Sequence, residues 1–200
     1  MKKNKNKDSF LKQAYVTQTK GFLDVSRKRE FWSEMANEFN GELNISHTVA
    51  RDLEMLNLKI PYKNVVIELI ESDAHPLKVS CELASKKDIS FSLSIEDVFE
   101  KILKVFGQQD IVLNDPAFDK KYLVKGKDEH YTKEILNHEN VKQLIMKTNI
   151  FSMICAYDKK KQTLNLMSLV GRTVHSKEEM KDILNLITSV IDKLKMAIPA

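Results

Sequence analysis

The segment "VVIELIESDAHPLKVSCELASKKDISFSL", residues 65–93, alternates apolar and polar side chains with a period of two. The apolar residues recur in three successive runs, within 65–69, 77–83 and 89–93. Such alternation is typical of β-strands that bury one face and leave the other in water. Short polar connections separate the runs, so this segment predicts three strands of an antiparallel sheet.

Upstream of this segment the sequence predicts a helix and further strands. Residues 26–40 repeat apolar side chains every four positions around Trp32, which predicts a helix that Ser26 caps and Gly41 ends. The period then changes to two, at Leu43, Ile45, His47 and Val49, at Leu53 and Met55, and, after a polar break, at Leu58 and Ile60. We therefore expect about five consecutive strands in a meander.

Downstream the pattern alternates between helices and strands. The predicted order is a helix over 95–107 with a capping start at Ser94, a short strand at 110–113, a strand at 120–126, a helix from Glu129 capped by Asp128, a break at Asn137 and His138, a second helix over 140–148, and a hairpin of 150–157 with 164–174. The last helix begins at a capping box of Ser176 and Glu179. Its apolar stripe continues over five turns to Ile198.

These patterns together predict an α+β fold. We expect a mostly antiparallel sheet, first a meander and then a hairpin, with helices on one face and a long C-terminal amphipathic helix. Residues 1–25 are expected to form a basic N-terminal tail. Residues 26–200 are expected to form one α+β domain, which can divide into subdomains 26–93 and 94–200.

The positive charge is concentrated at the N-terminus. The chain has 200 residues and a formal net charge of +4. Residues 1–20 hold six lysines against one aspartate, a balance of +5, so the remaining 180 residues sum to −1. A nucleic-acid-binding domain carries its basic footprint on the fold itself, so this distribution argues against nucleic acid as a partner. Weak attachment of the tail to anionic lipid is an alternative.

Several features favour a cytoplasmic protein. The basic start is not followed by the apolar run of a signal peptide, and no stretch approaches the ~20 apolar residues of a membrane span. Cys81 and Cys155 lie in apolar alternating segments and are expected to be buried reduced thiols, although the sequence leaves a single disulfide open.

The segment "DPAFDKKYLVKGKDEHYTKEIL", residues 115–136, concentrates acidic residues. If the protein has an active site, its candidate catalytic residues are Asp119, Lys121, Asp128 and His130. A catalytic carboxylate pair must converge at about 5–10 Å, which a single chain segment rarely achieves. Asp115 precedes a proline, and Asp119 is expected at a strand entrance. The structural interpretation, turns and helix caps, is therefore favoured.

The sequence predicts neither a metal site nor a cofactor. The five histidines do not form an H-x-x-x-H pair on a predicted helix, and H-E-x-x-H and C-x-x-C are both absent. The five glycines all stand at turns or element ends, which leaves none for a phosphate-binding loop.

A pattern of short motifs runs through the middle of the chain: Gln109-Asp110-Ile111, Asp115, Phe118-Asp119, Val124-Lys125-Gly126 and Ile135-Leu136, together with the Trp32 helix and the "EFNGEL" that follows it. This pattern resembles uncharacterised bacterial domain families of unknown function. The resemblance implies no known activity, so it assigns no catalytic residue. It is compatible with a structural corner in which Phe118 anchors a turn in the core and Gly126 permits a tight exit into the next helix.

The leading functional interpretation is a non-enzymatic module that binds a protein partner or itself, because the edge strands of an open antiparallel sheet favour pairing. One alternative is an enzyme whose site is assembled from distant segments around 115–130. Another is a protein that binds a small apolar ligand between the long helix and the sheet. The apolar-ligand alternative requires a cavity, whereas Phe91, Met153 and Met167 are expected to fill the core between the helix and the sheet.

Overall fold

The computed structural model describes residues 25–47, 53–72, 75–95, 109–174 and 176–198. In these ranges the helices are α1 (Val25–Glu38), α2 (Pro116–Lys121), α3 (Glu129–Leu136), α4 (Glu139–Thr148) and α5 (Lys177–Ala197). The strands are β1 (Glu42–His47), β2 (Glu54–Tyr62), β3 (Val65–Ser72), β4 (His75–Ala84), β5 (Phe91–Ile95), β6 (Gln109–Asp110), β7 (Tyr122–Gly126), β8 (Ser152–Asp158) and β9 (Thr163–Leu169). The predicted α+β class is confirmed.

The described strands form one antiparallel sheet of nine strands, in the order β1-β2-β3-β4-β9-β8-β5-β7-β6. The first four strands form the predicted meander. The expectation that the next strand continues it is wrong, because the β8–β9 hairpin lies between β4 and β5. β9 pairs with β4 along seven positions, from Lys78 to Ala84, which is a longer ladder than the five residues of β5 allow.

One face of the sheet forms the core with the helices. Cross-strand partners share a face, so the register defines a row of buried side chains that crosses seven strands. This row consists of Leu58, Leu69, Val79, Ser168, Met153, Leu93 and Val124. The predicted core residues Phe91 and Met153 are fully buried. Met167 pairs with Ser80 on the opposite face and is only half-buried, so its assignment to the core is wrong.

The helices on this face pack against different partners. α1 packs against β1 and β2, and α5 packs against α3 and α4. The predicted stripe of α5 is buried from Met180 to Leu194. Ser176 accepts the backbone N–H of Glu179 at 3.1 Å, so the predicted cap of this helix is confirmed.

Two predicted ends of α1 differ in the structure. The helix begins at Val25, so Ser26 lies inside it instead of capping it. Asn40, with φ 50°, adopts the left-handed conformation expected of Gly41. Gly41 is required for another reason, since a Cβ there would lie 2.8 Å from Leu58 Cδ1 and 2.9 Å from the backbone oxygen of Lys59.

The polar break predicted inside β2 is also wrong. Glu54, Leu56, Leu58 and Ile60 point inward without interruption, and Met55 faces the other side. The inward Glu54 conceals the alternation in the sequence, because a carboxylate is not expected on a buried face.

Some predictions fall on residues outside the described ranges. These are residues 1–24 of the expected N-terminal tail, Val49, and residues 96–107 of the helix predicted over 95–107; Ile95 lies in β5 instead.

Both cysteines are buried and free, as the sequence predicts. Cys81 and Cys155 both lie opposite Leu166, on the two strands that flank β9. Two strand spacings amount to about 9.5 Å, which exceeds the Cα separation that a disulfide allows. The disulfide alternative is therefore wrong. Burial raises the pKa of the Cys81 thiol to about 12 and raises the pKa of Cys155 as well.

Candidate functional site

The acidic segment singled out in the sequence forms a corner made of α2, β7 and the start of α3. Asp115 is the N-cap of α2, and Pro116 occupies the first turn of that helix. This combination favours a helix start. The strand predicted from Lys120 therefore begins later, at Tyr122, and Asp119 lies on a helix instead of at a strand entrance.

Asp119 ties the loop before α2 to the helix itself. Its Oδ1 accepts the backbone N–H of Leu113 at 2.9 Å, and its Oδ2 accepts the N–H of Asp115 at 3.0 Å. The next residue inward, Phe118, is fully buried and packs on the ring of Tyr122, with 5.2 Å between centroids. The expectation that Phe118 anchors this turn in the core is confirmed.

Asp115 is also occupied by local contacts. Its Oδ1 accepts the backbone N–H of Phe118 at 3.2 Å, and its Oδ2 lies 3.2 Å from the Lys142 ammonium. The backbone hydrogen bond and the bond from Lys142 both favour the ionised carboxylate, so the pKa of Asp115 lies below its ordinary value of 3.8.

The second half of the corner begins at Asp128. Its carboxylate accepts the backbone N–H of Tyr131 at 3.2 Å, which confirms the predicted cap of α3. His130 projects into solvent, with 80% of its side chain exposed, and its Nε2 lies 3.9 Å from Glu134. Lys121 approaches the Tyr122 ring, with 5.3 Å from Nζ to the centroid.

The corner does not bring the four candidate catalytic residues together. Asp119 and Lys121 precede β7, whereas Asp128 and His130 follow it. A strand of five residues spans about 16 Å, which exceeds the separation of about 5–10 Å at which a carboxylate pair cooperates. A catalytic role for these residues stays a prediction.

Gly126 is required by close packing at the exit from β7. A Cβ at this position would lie 2.1 Å from Thr132 Oγ1 and 2.8 Å from Ile111 Cδ1. Thr132 is itself held in place, since its hydroxyl donates to the backbone oxygen of Asp128 at 2.7 Å. A side chain here would push α3 away from the sheet.

A second group of charges was not identified from the sequence. The buried charged cluster consists of Lys28 and Arg29 on α1, Glu54 on β2 and Glu71 on β3. The Lys28 ammonium lies 3.4 Å from Glu71 Oε1, and the two side chains are 5% and 2% exposed. Arg29 is half-exposed and pairs with Glu54, which is buried. The two pairs attach α1 to the inner face of the sheet.

The buried charged cluster has incomplete hydrogen bonding. Within the described residues, Glu54 Oε1 and the indole N–H of the fully buried Trp32 have no hydrogen-bond partner. Buried charges lose several kcal/mol of hydration each, which is recovered only if the remaining polar atoms are also satisfied. The sequence contains one sign of this cluster. Glu54 and Glu71 each occupy a position at which the alternation of their strand places an inward side chain.

Two features of other functional sites are absent from the described residues. These residues do not contain a group of three or more His, Cys, Asp or Glu side chains placed to hold a metal ion. None of the described helices is both long enough and apolar enough to cross a bilayer.

Comparison with known proteins shows a likeness of fold. Neither a protein-family model nor a curated protein matches the chain. Among solved structures, the crystal structure of the mycobacterial trehalose monomycolate transport factor A, TtfA, is similar to it with a TM-score of 0.55. The likeness covers 88% of this chain and 98% of that one at 7% sequence identity, so it shows the fold alone.

Proposed function

We propose that this protein is a non-enzymatic interaction module that pairs through the open edge of its sheet at β1. The first partner is a second copy of the same chain. One observation carries the proposal: in the described part of the chain, β1 is hydrogen-bonded to β2 on one side and borders no strand on the other.

β1 has the properties of an edge that accepts another strand. It pairs with β2 along its whole length, from Glu42 opposite Lys59 to His47 opposite Glu54, so no bulge interrupts its register. It contains neither proline nor lysine, the residues by which natural edge strands commonly prevent pairing. Ile45 on this strand is 37% exposed. At the opposite edge β6 has only two residues, which is too short for a stable ladder.

Two copies of β1 can pair symmetrically. A two-fold axis perpendicular to the sheet makes the strands antiparallel and keeps each residue on its own face. Directly opposed residues must share a face, so an axis through Ile45 places the two Ile45 side chains opposite each other. Leu43 of one copy then lies opposite His47 of the other. This arrangement buries the exposed Ile45 against itself and extends the sheet across both copies.

The carboxylates of the corner support a role other than catalysis. Asp115, Asp119 and Asp128 each accept backbone N–H groups that hold a turn or a helix start. The similarity to TtfA is a similarity of fold alone. The proposal therefore rests on the exposed edge of β1. The two buried free thiols are compatible with a cytoplasmic setting. Membership of the bacterial family suspected from the 109–136 pattern also remains a proposal.

Sedimentation velocity over a range of protein concentrations tests this proposal. We expect the wild-type chain to dimerise and Ile45→Lys to remain monomeric, because a lysine at the edge opposes strand addition. Val112→Lys is the matched control, since Val112 is 58% exposed and lies outside β1. It should dimerise like the wild type.

Two results would contradict the proposal. One is a wild-type chain that is monomeric at every concentration. The other is a dimer that Ile45→Lys leaves intact. Amide hydrogen exchange identifies the surface directly, since the backbone of residues 42–47 should become more protected as the dimer forms.

A further inference from the structure

One end of the sheet gathers lysine-bearing segments that are far apart in the sequence. The β2–β3 turn follows the pairing of Tyr62 with Val65, and the β4–β9 ladder reaches the same end with Ala84 opposite Thr163. The backbone N–H of Ser85 donates to the backbone oxygen of Gln162 at 2.8 Å. The loop after β4 and the tip of the β8–β9 hairpin are therefore in direct contact.

The C-terminal end of α5 joins this group. The Lys63 ammonium donates to Asp192 at 2.5 Å, and Lys195 donates to the Asn64 side chain. We call the resulting surface the lysine end, and define it by residues 62–65, 85–90, 158–162 and 192–198.

The lysine end carries a local excess of positive charge. It holds eight lysines, Lys63, Lys86, Lys87, Lys159, Lys160, Lys161, Lys193 and Lys195, against the three aspartates Asp88, Asp158 and Asp192. Its balance is thus +5, which the adjoining Glu82 and residues 126–129 lower to +3, whereas the chain beyond residue 20 sums to −1. The fold therefore separates charges that look evenly distributed along the sequence.

Part of this charge is available to a partner, although Lys161 lies 3.7 Å from Glu82 on β4. Lys86, Lys159 and Lys160 are exposed, and in the part of the chain that the structure describes none of them has a carboxylate within ion-pair distance. Asp158 accepts the backbone N–H groups of Lys160 and Lys161 at 2.8 and 3.2 Å, so its carboxylate stabilises the hairpin tip.

The composition of the lysine end indicates the chemistry of the partner. All its cations are lysines, which act as hydrated point charges, whereas bidentate recognition of individual phosphates favours arginine. The neighbouring Tyr131 ring is covered by the Lys87 ammonium at 3.4 Å from the centroid, which leaves it unable to stack on a nucleic-acid base.

Exposed apolar side chains accompany the lysines. Within the described residues, four large apolar side chains are exposed; one of them lies in the lysine end and another directly follows one of its segments. Val66, 54% exposed, directly follows the β2–β3 turn, and Met196, 74% exposed, is in the last turn of α5. Lysines with adjacent apolar side chains match the interface of a bilayer, where charge meets headgroups and apolar groups reach the acyl boundary.

We propose that the lysine end docks the folded domain onto an anionic lipid surface. The docking is reversible and depends on salt, because it relies on several separate ammonium groups without a deep insertion. It is distinct from attachment through the N-terminal tail, because its charges belong to turns that the fold holds together.

Co-sedimentation of the full chain with lipid vesicles tests this proposal. The vesicles contain either phosphatidylcholine alone or phosphatidylcholine with phosphatidylglycerol. We expect binding only to the anionic vesicles, and loss of that binding in high salt. The variant Lys86→Gln/Lys159→Gln/Lys160→Gln/Lys161→Gln should lower the partition coefficient by at least about tenfold, since each lysine near such a surface contributes a factor of about five.

Two control variants make the result specific. Lys120→Gln/Lys147→Gln/Lys177→Gln/Lys181→Gln removes the same charge from lysines outside the lysine end and should bind nearly as well as the wild type. A chain with glutamines at the six lysines of residues 1–20 should keep the dependence on the lysine end. Thermal unfolding of each variant verifies that the fold is intact.

Several results would overturn the proposal. These are equal binding to both kinds of vesicle, no binding to either, and equal loss of binding in the two four-lysine variants. Binding that disappears only with the tail lysines assigns the attachment to the tail and overturns it too. So does binding to duplex DNA with the same lysine dependence in the absence of vesicle binding.

Discussion

The corner of residues 113–130 and the buried charged cluster under α1 both hold carboxylates, but the two regions stabilise them in different ways. At the corner the carboxylates are partly exposed and accept N–H groups from their own or adjacent turns. In the cluster Glu54 and Glu71 are buried and pair with cations of another element. The first arrangement shapes the local chain, whereas the second attaches α1 to the sheet.

This difference shows that acidic residues concentrated in one segment are a poor guide to unusual chemistry. Aspartates beside turns form local hydrogen bonds, because their oxygens reach the unpaired N–H groups at the start of a helix. A glutamate on the inward face of a strand has no such local partner. It remains buried only if the tertiary structure brings a cation to it.

The largest expected effect concerns the Lys28–Glu71 pair. Glu71→Leu alone leaves the Lys28 ammonium buried without this carboxylate, and we expect a loss of about 3–5 kcal/mol in the free energy of unfolding. Lys28→Met/Glu71→Leu removes both charges and should recover most of that loss. Urea denaturation measures all three proteins. A double variant as unstable as the single one would show that the charge pair is not the source of the effect.

A smaller effect is expected at Asp119 in the corner. Asp119→Asn replaces one of the two accepting oxygens by an NH2 group, which donates and cannot accept an N–H. We expect the free energy of unfolding to fall by roughly 2 kcal/mol, the range for hydrogen bonds to charged groups.

His130→Ala is the matched control for Asp119→Asn in the same urea experiment. The side chain of His130 is 80% exposed, so its removal should change stability by less than about 0.5 kcal/mol. If Asp119→Asn leaves stability unchanged but abolishes a measured turnover, the structural interpretation of the corner is wrong.

The smallest effect is the pH dependence at Asp115. Its folded pKa lies below the ordinary 3.8, so the ionised carboxylate stabilises the fold above about pH 4, and this contribution is lost as the pH falls through the folded pKa. Asp115→Asn keeps a good cap and removes the charge. The wild type should therefore be more stable than the variant at pH 7, and the difference should vanish in acid. A difference independent of pH would contradict this assignment.

The elements that depend on short-range interactions could be predicted from the amino-acid sequence. The stripe of α5, its Ser176 cap, the Asp128 cap of α3 and the break between α3 and α4 all follow from contacts within about four residues. The period of two identified the strands and placed Val79, Phe91 and their neighbours in the core. Hence the α+β class was predictable.

Features that depend on distant partners follow from the tertiary packing and could not be predicted. The insertion of the β8–β9 hairpin between β4 and β5 is a choice of strand neighbours, and alternation along one strand does not specify its neighbour. Glu54 faces inward because it pairs with Arg29, which lies 25 residues away in the sequence. The alternation along the strand does not reveal this distant partner, so the sequence predicted a break in the strand. The turns at Lys86 and Lys160 lie far apart in the sequence. They became one surface only because β4 pairs with β9, and that pairing connects segments about 75 residues apart in the chain.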